Sequence, residues 1–141
     1  MTASWLDTPV ENVMTKRLVT VELDDPLETV KRIFDAVKFH HLLVLDSEGS
    51  LCGVISDQDL LRALSPYLGT ASENARDTAT LKKKVHQIMS RRPITLPPGA
   101  KVADAVKLFH EHRVSCVPVV GEGFKPVGIV SWRDVLKSHV G

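Results

Sequence analysis

Cysteine and aromatic residues are scarce in this chain: two cysteines, two tryptophans, one tyrosine and four phenylalanines in 141 residues. Cys52 and Cys116 fall inside apolar runs, and their spacing fits no zinc or redox motif. They are read as buried free thiols of a reducing compartment, which favours the cytoplasm. Charge of one sign is also missing. Eighteen Lys and Arg against seventeen Asp and Glu leave a net charge of +1, so no nucleic acid or membrane partner is expected. No apolar run is long enough to span a bilayer. Met1 to Asp7 lacks the basic start and apolar centre of a signal peptide. There is no Gly-x-x-x-x-Gly-Lys-Ser/Thr loop, and no Ser-His-Asp or Cys-His arrangement is signalled, so no residue stands out as nucleophile or base and no enzyme is expected. His110 and His112 flank Glu111, but on a helix positions i and i+2 diverge, so no metal site is expected there. The three lysines 82–84 read as a solvated face.

Against these absences stands one motif that occurs twice. Gly53-Val54-Ile55-Ser56-Asp57-Gln58-Asp59 and Gly128-Ile129-Val130-Ser131-Trp132-Arg133-Asp134 lie 75 residues apart and share Gly, Ser and Asp. Each reads as the end of a buried strand entering a helix. Glycine comes first, where no side chain blocks the backbone, then two apolar residues. Ser follows as N-cap, with Asp three residues on to close a capping box. A strand that feeds a helix N-terminus exposes unpaired N–H groups and a positive dipole end, which suit a phosphate. The Ser hydroxyl can join them, and an ionised Asp can accept hydrogen bonds from the two hydroxyls of a ribose. Capping alone also explains both residues.

The rest of the chain carries the same repeat. Between positions 14 and 61, eight residues recur at the offset: Met14/Met89, Thr20/Thr95, Phe34/Phe109, Val44/Val119, Gly53/Gly128, Ser56/Ser131, Asp59/Asp134 and Leu61/Leu136. Residues 4–13 suggest a short helix weakened at Pro9. Leu18 to Val21 suggests a strand. Asp25 as N-cap and Pro26 as first helical residue open a helix with an apolar stripe of Leu27, Val30, Ile33, Phe34 and Val37, ended by His40-His41. Leu42 to Leu45 and Leu51 to Ile55 suggest strands around a turn, and Ser56 opens a second helix. The order returns from Met89 onward, with strands over Cys116 to Val120 and Val127 to Val130. The expectation is an α/β fold, α+β in some schemes: two β-α-β-β-α repeats at 10–66 and 85–141, joined by a polar linker at 67–84. One repeat is too small to bury both faces of its sheet, so the two must pack together.

Two such units, each ending in Gly-apolar-x-Ser-x-x-Asp, resemble a tandem pair of cystathionine-β-synthase (CBS) domains, a Bateman module. The resemblance covers about residues 10–139. His112-Arg113-Val114-Ser115-Cys116-Val117-Pro118-Val119-Val120 is similar to the ligand-facing strand of the adenylate-sensing gamma subunit of AMP-activated protein kinase. With no other domain in view, the chain looks like a free-standing pair. The resemblance implies a pseudo-two-fold fold and a cleft between repeats that takes an adenosine compound such as AMP, ADP or ATP, with no cofactor. It implies Asp134 on the ribose, Ser131 on the phosphate, Ser115 and Cys116 at the adenine edge, and Ser90 and Thr95 lining the same cleft. Ile94, Val114, Pro118 and Ile129 would be its apolar walls. In the first repeat Ser56 and Asp59 match the motif and Thr15 and Thr20 the lining, while His40, His41 and Leu43 depart from Ser115, Cys116 and Pro118. Lys16, Arg17, Lys38, Arg91, Arg92, Arg113 and Arg133 are the cations available to a phosphate tail. The family's pattern further implies a homodimer, with Leu60, Leu61, Leu64, Val135 and Leu136 too many to face one small sheet, and signalling to an effector protein. The competing expectation is a ligand-free interaction or scaffold protein whose Ser and Asp are only caps.

Overall fold

The computed structural model describes residues 4–37 and 40–140, and they form two compact units. One is continuous, residues 19–92. The other is composite, built from the residues up to 18 together with those from 93 onward.

The continuous unit holds a four-stranded sheet in the order β1 (Thr20–Glu22), β2 (His41–Leu45), β3 (Leu51–Ser56), β4 (Ser90–Arg91). β1 runs parallel to β2 across the helix α1 (Leu27–Ala36), as a crossover requires, whereas β2–β3 and β3–β4 are antiparallel. β2 reads as a continuous apolar run because three of its five residues are buried. β3 alternates buried and half-buried positions. The α1 stripe meets the sheet through Leu27 and Val30, which pack with Val21, Leu42, Val44, Ile55, Leu60, Val85 and Met89. Helix α2 (Asp57–Ala63) follows β3 without a gap, and its Leu60 closes that core.

Three local expectations are corrected. Pro26, not Asp25, is the N-cap of α1 and makes no side-chain cap. The Asp25 carboxylate instead accepts the Glu22 amide at 2.8 Å. α1 stops at Ala36, and His41 is the first residue of β2 rather than part of a helix end. The linker carries a short helix, α3 (Ala75–Ala79), started by a capping box between Asn74 and Asp77. Asp77 is buried there, with its carboxylate accepting the Ser65 hydroxyl at 2.7 Å and the Asn74 amide at 2.9 Å. α4 (Val85–Ile88) then leads into β4.

The composite unit repeats this plan. α5 (Val102–His112) and α6 (Trp132–Val140) cover the hairpin of β5 (Cys116–Val120) and β6 (Pro126–Ser131). Single bridges complete the sheet: Leu96 lies parallel to Val119, and Thr15 antiparallel to Ile129. These match the Val21–Val44 and Ser90–Val54 pairs of the continuous unit, each shifted by 75 positions. The core is Val10, Leu96, Val102, Ala105, Phe109, Val117, Val119, Val130 and Val135. In place of one helix over residues 4–13 there are two 3-10 turns, Trp5–Asp7 and Val10–Asn12, because Thr8 and Pro9 are extended and Pro9 has no amide to continue a helix.

The two units exchange their leading residues. Met14 and Thr15 lie at the head of the first repeat but pack into the composite unit, whereas Met89 and Ser90 lie at the head of the second repeat and pack into the continuous one. The glycine of each motif accounts for this. A Cβ on Gly128 would come within 2.3 Å of the Met14 sulfur, and one on Gly53 within 2.5 Å of the Met89 sulfur. Each glycine is thus a socket for a thioether, a role the sequence pattern had assigned to open backbone. Gly128→Ala is expected to lower stability by about 1–3 kcal/mol through overpacking. Met14→Ala in the same chain should recover part of that loss, and chemical denaturation of the two single variants and the double variant measures the coupling.

Candidate functional site

The composite unit gathers most of the expected residues around the turn from β6 into α6. Asp134 closes the capping box: its Oδ2 accepts the Ser131 amide at 2.9 Å and the Ser131 hydroxyl at 3.1 Å, and its own amide donates to Ser131 Oγ at 3.3 Å. Its other oxygen does something a cap does not need. Oδ1 accepts the Thr15 hydroxyl at 2.9 Å, across 119 positions of sequence. Thr15 is placed for this by two backbone bonds with Ile129, its amide donating to the Ile129 carbonyl at 2.8 Å and its carbonyl accepting the Ile129 amide at 3.0 Å. Thr15, grouped by chain position with Asp59, therefore belongs with Asp134.

Across the hairpin Cys116 stands opposite Ser131 and Pro118 opposite Ile129. The Trp132 amide donates to the Ser115 carbonyl at 3.4 Å, which ties the head of α6 to the start of β5. Pro118 is buried, Ile94, Thr95, Val114 and Ile129 are half-buried, and Ser115, Arg113 and Arg133 are exposed. Lys16 and Arg17, directly after Thr15, are exposed as well. Cys116 is half-buried rather than buried, yet its thiol is pushed up to about 12, first by desolvation and then by the neighbouring Asp134 carboxylate. It is a neutral wall at physiological pH and no nucleophile. Arg113 caps α5 in the left-handed conformation (φ 53°) and turns the chain into Val114.

The continuous unit holds the counterpart turn, from β3 into α2. Asp59 Oδ2 accepts the Ser56 amide at 2.9 Å, and the Asp59 amide donates to Ser56 Oγ at 3.1 Å. The other carboxylate oxygen lies 3.8 Å from Arg62. Ser90 pairs with Val54 in β4 and belongs to this unit, and Thr20 is exposed on β1 opposite Leu43. His41 stands opposite Ser56. His40 Nδ1 lies 3.0 Å from Asp57 Oδ2. That hydrogen bond is the main reason the Asp57 carboxyl sits below the usual carboxylate range. His41 is pulled below the ordinary imidazole value, mainly by burial and against the attraction of Asp57 and Asp59. Asp57 carried no signal at the sequence level beyond its place after Ser56. Arg91 is tied back to the His86 carbonyl at 2.9 Å, and Lys38 lies outside the described residues.

Among the described residues, no group of three His, Cys, Asp or Glu side chains is arranged to hold a metal ion, and no helix is long and apolar enough to cross a membrane. Cys52 is a half-buried free thiol whose Sγ donates to the Val44 carbonyl at 3.3 Å.

The family model for the CBS domain matches residues 10–66 and 85–141. A CBS domain-containing protein of Dictyostelium discoideum is 34% identical over 128 residues, covering 90% of this chain and 88% of its own. The arabinose 5-phosphate isomerase KpsF of Escherichia coli is 32% identical over 127 residues, but the chain spans only 36% of its length. Among solved structures, CBSX2 in complex with AMP superposes with a TM-score of 0.79 at 26% identity, over 94% of this chain and 96% of that one. The CBS domain pair of protein MJ0100, in complex with 5′-methylthioadenosine and S-adenosyl-L-methionine, superposes with a TM-score of 0.75 at 25% identity, over 92% and 94% of the two chains.

Two measurements follow from the titratable groups. In a Cys52→Ser background, Cys116 should react with a thiol reagent at pH 8 far more slowly when folded than in denaturant, because its thiolate fraction is suppressed. His41 has a folded value below its unfolded one near 6.5, so the unfolded chain binds the extra proton. The stability it confers is complete above that value and is lost as the pH falls through the folded one. Thermal melts should therefore drop between pH 7.5 and 5, and His41→Gln should flatten that drop.

Proposed function

The chain belongs to the CBS-domain family as a tandem pair, and from that premise we propose that it is a regulatory module that binds an adenosine-containing nucleotide, AMP, ADP or ATP, at the Ser131–Asp134 turn and passes the bound state to an effector protein. The carrying observation is the second oxygen of Asp134. A capping carboxylate needs one oxygen, whereas here the other is aimed at a hydroxyl delivered from the opposite end of the chain. It keeps a lone pair for a ribose hydroxyl, and Thr15 can turn its own hydroxyl to a phosphate oxygen. Cys116, Pro118, Ile129 and Val114 supply an apolar wall for a base. Exposed Lys16, Arg17, Arg113 and Arg133 supply cations of the same unit for a phosphate tail. The relatives crystallised with AMP or with S-adenosyl-L-methionine support the adenosine class. The free thiols fit a reducing, cytoplasmic setting.

Homodimerisation goes with this reading. Leu60 and Val135 are buried in their own units, but the next residues in each motif helix, Leu61 and Leu136, are 72% and 58% exposed. These leucines occupy equivalent positions, and each leaves more than half of its surface exposed in a single chain. Light scattering at micromolar concentration should give twice the chain mass, and Leu61→Glu with Leu136→Glu should halve it.

Titration calorimetry with AMP, ADP and ATP tests the binding. Asp134→Ala should lose charge-assisted bonds of about 1.5–3 kcal/mol, or about ten- to a hundredfold in affinity. Unchanged affinity would leave Asp134 as a cap alone, and no rise in melting temperature with any adenosine compound would favour the scaffold reading.

A further inference from the structure

The two turns are equivalent by sequence position but not by chemistry, and the difference decides how many nucleotides one chain takes. Resting on the reading above, we infer that the Asp134 turn is the sole nucleotide seat and that the Asp59 turn rejects anionic nucleotides, so that each chain binds one. Three differences between the equivalent positions of the two units carry this.

The first is charge. Asp57 stands directly after Ser56, where the composite unit has Trp132, and Gln58 stands where it has Arg133. The Asp59 turn thus presents two carboxylates. Arg62 is already drawn toward Asp59 at 3.8 Å, and Arg91 is held to the His86 carbonyl. The Asp134 turn presents one carboxylate with Arg133 beside it and Lys16 next to Thr15. A phosphate meets one more negative and one fewer positive charge at the Asp59 turn, and at separations near 8 Å each such difference shifts affinity by about two- to tenfold.

The second is space. His41 and Leu43 occupy the positions of Cys116 and Pro118. Leu43 and Pro118 are both buried, so the difference lies at His41, whose imidazole is larger than the Cys116 thiol. His40 also bonds Asp57 twice, by ring to carboxylate at 3.0 Å and by carbonyl to the Asp57 amide at 3.0 Å. An incoming phosphate would have to displace that pair.

The third is an available acceptor. In the continuous unit the Leu43 amide donates to the Val19 carbonyl at 3.2 Å. The equivalent carbonyl in the composite unit belongs to Ile94, and the equivalent donor would be Pro118, which has no amide. Proline therefore leaves the Ile94 carbonyl without the bond that closes Val19, and a carbonyl beside an apolar wall suits the exocyclic amine of a base.

Calorimetric titration of the full chain with AMP decides the matter, using Asp134→Asn and Asp59→Asn so that each variant keeps a capping oxygen. The expected result is one AMP per chain. Asp134→Asn should weaken it at least tenfold, and Asp59→Asn should leave affinity within twofold and the stoichiometry at one. Two AMP per chain, or loss of binding in Asp59→Asn with retention in Asp134→Asn, overturns the inference while leaving an adenosine-binding module intact. Failure of AMP, ADP, ATP and S-adenosylmethionine alike to bind the unaltered chain removes the functional reading and the inference together.

Discussion

The composite unit depends on a thioether lodged in a glycine. Met14 lies where a side chain at residue 128 would otherwise sit. That seat brings the next residue, Thr15, into a double backbone bridge with Ile129, and the bridge aims the Thr15 hydroxyl at Asp134. Packing, backbone pairing and side-chain polarity follow in one line from a missing Cβ. The same sequence of causes runs through Met89, Gly53 and Ser90 in the continuous unit as far as the backbone pair with Val54. Met suits the role because an unbranched, polarisable side chain fills an irregular socket with little strain.

That exchange is where sequence reading fell short, and the reason is physical. Capping boxes, apolar stripes and strand alternation are local, spanning a few residues, so Ser56 with Asp59, Ser131 with Asp134 and the inner face of α1 could be read directly. The partner of Thr15 lies 119 positions away, and a gap-free repeat invites the assumption that each leader serves its own repeat. The identities Met14/Met89 and Gly53/Gly128 held the clue, since a methionine and a glycine retained together suggest a knob and its socket. α3 escaped for a different reason. With five residues and one buried side chain, Asp77, it has no apolar period to detect, and its only signature is Asn74-x-x-Asp77. His40-His41 reads as the end of α1 from local order alone, whereas pairing with Ser56 makes His41 the first residue of β2.

The candidate site was legible in its residue types more than in its grouping. Asp134, Ser131, Cys116, Pro118 and Ile129 come together on one hairpin and the helix it feeds, as local order implied. Ser90 and Thr15 changed units. Their exchange sorts the polar lining unequally, because a threonine hydroxyl reaches the carboxylate in one unit, whereas in the other Asp59 has Arg62 as its charged neighbour.

Backbone chemistry accounts for the likeness of the two turns. A repeated β-α-β-β-α unit inherits a capping box wherever a strand enters a helix, and that requirement of backbone chemistry keeps Ser and Asp at 56 and 59 as firmly as at 131 and 134. Stability alone therefore preserves the motif in both halves and cannot distinguish a seat from a cap. What distinguishes them is what capping does not demand: the residue after Ser, the partner of the second carboxylate oxygen, and whether the facing strand carries an amide or a proline. At each of these points the two units differ: Trp132, Thr15 and Pro118 stand in the composite unit where Asp57, Arg62 and Leu43 stand in the continuous one.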